Sequence, residues 1–130
     1  MPTSLTEAQT RLLREPQIAQ VGTTMPDGSP HVTPVWVDTD GDAVLFNTAV
    51  GRVKHRNLLR DPRVAVSVVD RADPYRTLII RGRAEMVATG AVEHINKLCR
   101  KYRGTEPYPL PDGEQRVIVR VVPEHVSGLV

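Results

Sequence analysis

The chain has 130 residues, of which 40% are hydrophobic and 25% charged, with a net charge of +2. One domain of this size buries enough surface for a real core, and the composition excludes disordered and collagen-like classes. No apolar run reaches the roughly 18 residues of a membrane span, and the weak net charge argues against a nucleic-acid protein.

Read in order, Ser4 and Glu7 make a capping-box pattern, S-x-x-E, before a short helix carrying Leu5, Ala8, Leu12 and Leu13, closed by Pro16. No apolar signal core occupies this N-terminal stretch, so a cytoplasmic protein is expected. Residues 17–24 read as a strand, and residues 25–30 are turn chemistry with Asp27-Gly28 at the centre. Residues 31–38 form the next strand, residues 39–42 a second hairpin turn, and residues 43–49 a third strand. The three are expected to pair as an antiparallel meander.

A basic segment, residues 52–60, reads as a short helix before Asp61-Pro62. Residues 64–70 are apolar on nearly both faces, as in a central strand. Residues 77–88 alternate, with Leu78, Ile80, Gly82, Ala84 and Met86 facing one way. Residues 90–103 form an amphipathic helix with Val92, Ile95, Leu98, Cys99 and Tyr102 on one stripe and Gly104 beyond its end. A proline-rich loop spans Thr105 to Gly113. Residues 115–122 make a late strand, and residues 125–130 a short further one. The expected fold is mainly β: a single domain over residues 1–130, built as a small barrel of about six antiparallel strands with short helices at the connections.

The one cysteine, Cys99, excludes an internal disulfide or a CxxC redox pair. The four histidines, His31, His55, His94 and His125, lack close metal-ligand spacing, so no metal site is expected. Redox chemistry would have to come from a bound cofactor. The most informative stretch runs from Asn47 to Leu58. It joins a strand to a helix through Gly51 and sets Arg52 and Lys54 at the helix start, where free N–H groups and the dipole disfavour cations unless an anion is present. Thr48 adds a hydroxyl. This is how a phosphate is held, although a solvated basic face would look the same.

Pro34 lies mid-strand without a donor, which makes its strand an edge or a bulge. Trp36 shares its face and is suited to a ring system, to the core or to a subunit interface. Tyr75 is a loop aromatic at a strand entry. His31 and His55 are possible proton donors without an identifiable carboxylate partner. Cys99 reads as a buried thiol.

Six motifs recur in a fixed order: T-x-x-D-G-S-P-H (Thr24 to His31), P-V-W-V-D (Pro34 to Asp38), N-T-x-x-G-R-x-K-x-R-N-L (Asn47 to Leu58), D-P-R-V-A (Asp61 to Ala65), L-x-x-x-G-x-A (Leu78 to Ala84) and P-x-H-V-x-G (Pro123 to Gly128). With this order and spacing the sequence resembles the split β-barrel flavin and deazaflavin reductases of the pyridoxamine-phosphate-oxidase-like superfamily. It is most similar to the actinobacterial branch that binds coenzyme F420. The resemblance implies a homodimer of split barrels with two cofactor sites at the interface. Thr48, Arg52 and Lys54 would hold the cofactor phosphate. Thr33, Pro34, Val35, Trp36, Phe46 and Asn47 would line the ring, with Tyr75 near the cofactor and Asn57 supporting the loop.

The implied chemistry is hydride transfer from reduced F420 to a small unsaturated or quinone-like substrate, with no catalytic side chain identified. The alternatives are FMN in the same fold, or a non-enzymatic cofactor-binding protein. Arg56, Arg60 and Arg76 are candidates for the acidic tail of F420. Pyridoxamine-phosphate oxidases proper carry longer C-terminal segments with arginine and histidine, whereas this sequence ends at Val130, so pyridoxamine phosphate is not the expected substrate.

Overall fold

The structure is a computed structural model and describes residues 2–130. Its elements are α1 (Glu7–Arg14), β1 (Ile18–Thr24), β2 (Pro30–Trp36), β3 (Asp38–Thr39), β4 (Val44–Ala49), α2 (Val53–Arg60), β5 (Arg63–Val69), β6 (Thr77–Val87), α3 (Ala91–Arg103) and β7 (Arg116–Gly128). No helix among the described residues is long and apolar enough to cross a membrane.

The first helix starts later than the S-x-x-E pattern predicts. Thr6 is the N-cap: its hydroxyl accepts from Gln9 N at 3.2 Å, and Gln9 Oε1 accepts from Thr6 N at 2.8 Å. A second reciprocal cap two residues downstream takes precedence. Leu5 then lies outside the helix but still packs on the core beside Leu12 and Leu13.

All strands pair antiparallel in one seven-stranded sheet, ordered β2-β1-β5-β6-β7-β4-β3. Against the expected barrel of about six strands, the predicted strand 31–38 breaks at Val37 into β2 and β3. The break closes the barrel. β2 and β3 are the two edges of the sheet, yet only Val37 separates them in the chain. One residue spans a few ångströms, so the sheet must curl until its edges meet. No ladder joins β2 to β3 or β4, which makes the barrel split.

The last step of the three-strand meander survives only as a short hairpin, in which β3 pairs with the start of β4 at Asp38↔Leu45 and Thr39↔Val44. β1 and β2 form the expected hairpin, but β4 pairs with β7, from Val44↔Val121 to Ala49↔Arg116. The two late strands are also one: β7 runs from Arg116 to Gly128, with Glu124 as the extra residue where the register shifts between Arg81/His125 and Gly82/Pro123. At that shift the β7 backbone crosses so close to Gly82 that an added Cβ would lie 2.0 Å from Val122 O.

Alternate residues fill the interior. Val21, Phe46, Val66, Val68, Leu78, Ile80, Val119 and Val121 are all essentially inaccessible. β5 is central as expected, but its second face is open: Ala65 and Val69 are exposed. In α3 the buried stripe is Ala91, His94, Ile95, Leu98 and Cys99, and Val92 points outward, contrary to the predicted stripe. The helix spans the seam. Tyr102 Oη accepts from Val37 N at 2.8 Å and donates to Gln17 O at 2.5 Å, and Lys101 Nζ donates to Leu13 O and Val37 O at 2.8 and 2.7 Å.

Candidate functional site

β4 hands over to α2 through Gly51, whose φ of 95° suits a residue without a Cβ. The turn is held from inside. Gly51 N donates to the buried His55 Nδ1 at 3.0 Å, and Val50 N donates to Gln115 O at 2.8 Å. His55 is thus a positioning group for the turn, with the Nδ1 lone pair committed. Arg52 is the N-cap of α2 without a side-chain cap bond, and no acid lies in the first turn.

This corner opens onto a groove of about 310 Å³. Pro34, Val35 and Trp36 of β2 and Ile18 of β1 form one wall. Ile95, Leu98 and Arg103 of α3, with Tyr108 of the proline-rich loop, form another. Asn47, Arg52, Lys54 and Arg116 make the charged end. The groove thus joins apolar and aromatic walls to a set of convergent polar groups.

The charged end holds three cations against one carboxylate. Arg116 is buried; its Nε donates to Asn47 Oδ1 at 2.8 Å and its Nη1 lies 3.4 Å from Glu114. Arg52 reaches the same Glu114 only at 3.9 Å. Lys54 is half-buried, and its ammonium is pushed below the usual lysine range by burial and then by the charges of Arg52 and Arg116. An anion placed here would relieve all three at once.

The aromatic wall is already assembled. Tyr102 stacks on Trp36, Tyr108 meets Trp36 edge-on with centroids 6.0 Å apart, and the Arg103 and Arg116 guanidiniums lie over Trp36 and Tyr108 at 5.1 and 5.3 Å. Tyr108 N donates to Asn96 Oδ1 at 2.8 Å, which seats the loop beside the groove.

Of the sequence-derived residues, Pro34, Val35, Trp36, Asn47, Arg52 and Lys54 meet in this groove. Pro34 is on an edge strand, as its missing donor requires. Thr33 and Thr48 lie outside the lining, each with a buried hydroxyl that has no partner among the described residues. Phe46 is fully buried in the core. Asn57 faces the other way, donating to Thr23 Oγ1 at 3.0 Å and so fastening α2 to β1. Tyr75 is 80% exposed on the turn before β6, outside this groove. Arg60 is bonded to Thr24 O and Asn57, and Arg76 to Asp70 at 2.5 Å, so of the three tail candidates only Arg56 is uncommitted among the described residues. No group of metal-ligating side chains forms among the described residues, and Cys99 is a buried free thiol.

Sequence reasoning missed Arg116, Tyr108, Arg103 and Ile95 as neighbours of this corner. The one local signal was a cation opening the otherwise apolar run Arg116-Val117-Ile118-Val119.

A family model for pyridoxamine 5'-phosphate oxidase matches residues 5–129. A solved structure named F420 reductase is 35% identical, with 95% of this chain and 98% of that one covered and a TM-score of 0.84. A conserved hypothetical protein from Mycobacterium tuberculosis is 26% identical, with 94% and 82% covered and a TM-score of 0.74. The HupZ protein of Group A Streptococcus, at 20% identity, 96% and 94% coverage and a TM-score of 0.71, shares the fold. No curated protein matches the chain.

Proposed function

The chain belongs to the pyridoxamine 5'-phosphate oxidase family, and we propose that it is an oxidoreductase that binds a phosphate-bearing deazaflavin, coenzyme F420, in the groove between β2, α2 and α3. The observation that carries this reading is the charged end of the groove. Lys54 is half-buried between Arg52 and Arg116, an arrangement unfavourable without an anion and favourable with one. The donor set therefore fits a phosphate. The 35% identity to an F420 reductase supports deazaflavin over FMN, since the phosphate end suits both.

In this reading Arg52, Lys54 and Arg116 bind the phosphate, while Pro34, Val35 and Trp36 provide an apolar edge against which a planar ring is aligned. When bound, the deazaflavin supplies a hydride-donating ring carbon, and the substrate is a small unsaturated or quinone-like molecule. The protein's contribution is orientation and charge complementarity, with no side-chain nucleophile.

The reading includes a homodimer. Ile18, Val32, Val69 and Ile79 are each more than two-fifths exposed on the outer side of β1, β2, β5 and β6, an apolar area that a second copy would cover. Tyr75 would then meet the cofactor held by the second protomer.

The test is a fluorescence titration of purified protein with F420 and, separately, FMN. Micromolar or tighter binding of F420 with much weaker FMN is the expected result. The reverse preference would move the protein to the flavin branch, and binding of neither would refute the cofactor reading.

A further inference from the structure

Behind the groove, Arg116 and Asn47 continue into a buried polar chain whose far members, His94 and Asp38, the cofactor reading does not use. Asn47, His94, Asp38 and Arg116 are each less than one-tenth exposed. Asn47 Oδ1 accepts from Arg116 Nε at 2.8 Å, and Asn47 Nδ2 donates to Ala91 O at 2.8 Å. A guanidinium only donates and a carbonyl only accepts, so the orientation of the Asn47 amide is determined by chemistry. The same Nδ2 lies 3.2 Å from His94 Nδ1. Nδ1 must therefore be an acceptor, and the ring proton of the neutral imidazole sits on Nε2, which faces Asp38 Oδ2 at 3.6 Å.

We propose that His94 is a positioning residue for the anion-binding end of the groove: neutral, it holds the Asn47 amide that holds Arg116; protonated, it releases both. An imidazolium carries a proton on Nδ1, which sets a donor against the Nδ2 donor of Asn47. The amide then turns or withdraws. Turned, it presents its NH₂ to Arg116 Nε–H; withdrawn, it leaves that N–H without its acceptor. In either case Glu114, at 3.4 Å, is the one side-chain hydrogen-bond partner left to Arg116 among the described residues.

Charged groups lie near the ring. Asp38 of β3 faces its Nε2 side. Lys97 of α3, whose Nζ is 3.1 Å from the same Asp38 oxygen, takes up part of that carboxylate's charge, and Lys101 of α3 and Arg116 of β7 add further positive charge. In this proposal protonation of His94 couples pH to the grip of the groove. The consequence for binding rests on the proposed anion site; the coupling of His94 to Arg116 does not.

The experiment is nitrogen-15 NMR of the full chain without ligand. At neutral pH the His94 ring should show an unprotonated Nδ1 and a protonated Nε2. On titration from about pH 8 to about pH 5, the Arg116 Nε–H resonance should shift with the midpoint of the His94 ring signals. In His94→Asn an amide oxygen takes the place of Nδ1 and nothing titrates, so the Arg116 signal should stay level. A proton on Nδ1, or an Arg116 signal indifferent to the His94 midpoint, would overturn the proposal, and the wild-type titration decides this even if the variant fails to fold. In a second arm, F420 and FMN affinities are measured across the same range. A loss of several-fold in wild type and none in His94→Asn extends the coupling to binding. Coupled NMR signals with level affinities would instead refute the anion-site reading.

Discussion

Tyr102 stacks on Trp36, with ring centroids 5.2 Å apart and 9° between the planes. The pair joins α3 to the strand that ends at the barrel seam. It also makes Trp36 a wall of the groove whose ring is already engaged before any ligand arrives. The phenol sits deep enough that burial, and to a lesser extent the charge of Asp38, push it up to about 12 against the opposing hydrogen bond from Val37. Tyr102→Phe keeps the stack but strips Val37 N of its acceptor and Gln17 O of its donor. The expected cost is about 1–3 kcal/mol, read as a lower thermal midpoint by circular dichroism. An unchanged midpoint would mean that water replaces the hydroxyl.

Lys54→Met should separate binding from stability. It removes a half-buried ammonium that its surroundings disfavour, so the unliganded protein should melt at the same temperature or higher. Affinity for F420 should fall about tenfold or more, as loss of a charge-assisted phosphate contact implies. Retained affinity would remove Lys54 from the site.

Two groups at the seam make stability rise with pH, in two separate windows. Burial raises the Asp38 carboxyl, but His94, the Thr39 backbone N–H and Lys97 outweigh it and hold the group well below the usual carboxylate range. The unfolded chain therefore takes up its proton first, and stability falls as pH drops below about 4. Lys101 is pushed down to about 8, chiefly by burial. The unfolded chain then holds the extra proton above that value, so stability rises from about pH 8 toward the ordinary lysine range. Urea melts across pH should show both slopes, with Asp38→Asn flattening the acid one and Lys101→Met the alkaline one.

Gly82→Ala should be among the most damaging single changes outside the groove. Its Cβ would meet the β7 backbone rather than a movable side chain, so β6 and β7 must part. A loss of more than about 3 kcal/mol is expected, visible as insoluble protein or a much lower urea midpoint. A nearly neutral substitution would show that the bulge relaxes freely.

Light scattering tests the oligomer. The protein should be a dimer at micromolar concentration, and Val32→Asp, on a residue 61% exposed, should yield a folded monomer. A monomeric wild type would contradict the shared-interface reading.

Local physics accounts for what the sequence alone determined. Alternation in residues 77–88 carries the two faces of β6, Pro34 marks an edge strand by its missing donor, and Gly51-Arg52-Val53-Lys54 places two cations at a helix start within one contiguous turn. Each depends on neighbours a few residues away, which is where backbone geometry and propensity act. What the sequence left open depends on which distant strands pair. The Ser4 cap lost to Thr6 because two local patterns competed within one turn. The meander held only as far as the short β3–β4 hairpin, because β4 pairs along its length with β7, about seventy residues later, once the sheet curls and Val37 closes the seam. That same closure carries Arg116 to Asn47, 69 positions apart, sets His94 behind them, and seats Tyr108 against Trp36. A cation's neighbours across a barrel are decided by the register of long-range strand pairs, which burial of the whole core selects and no local pattern encodes.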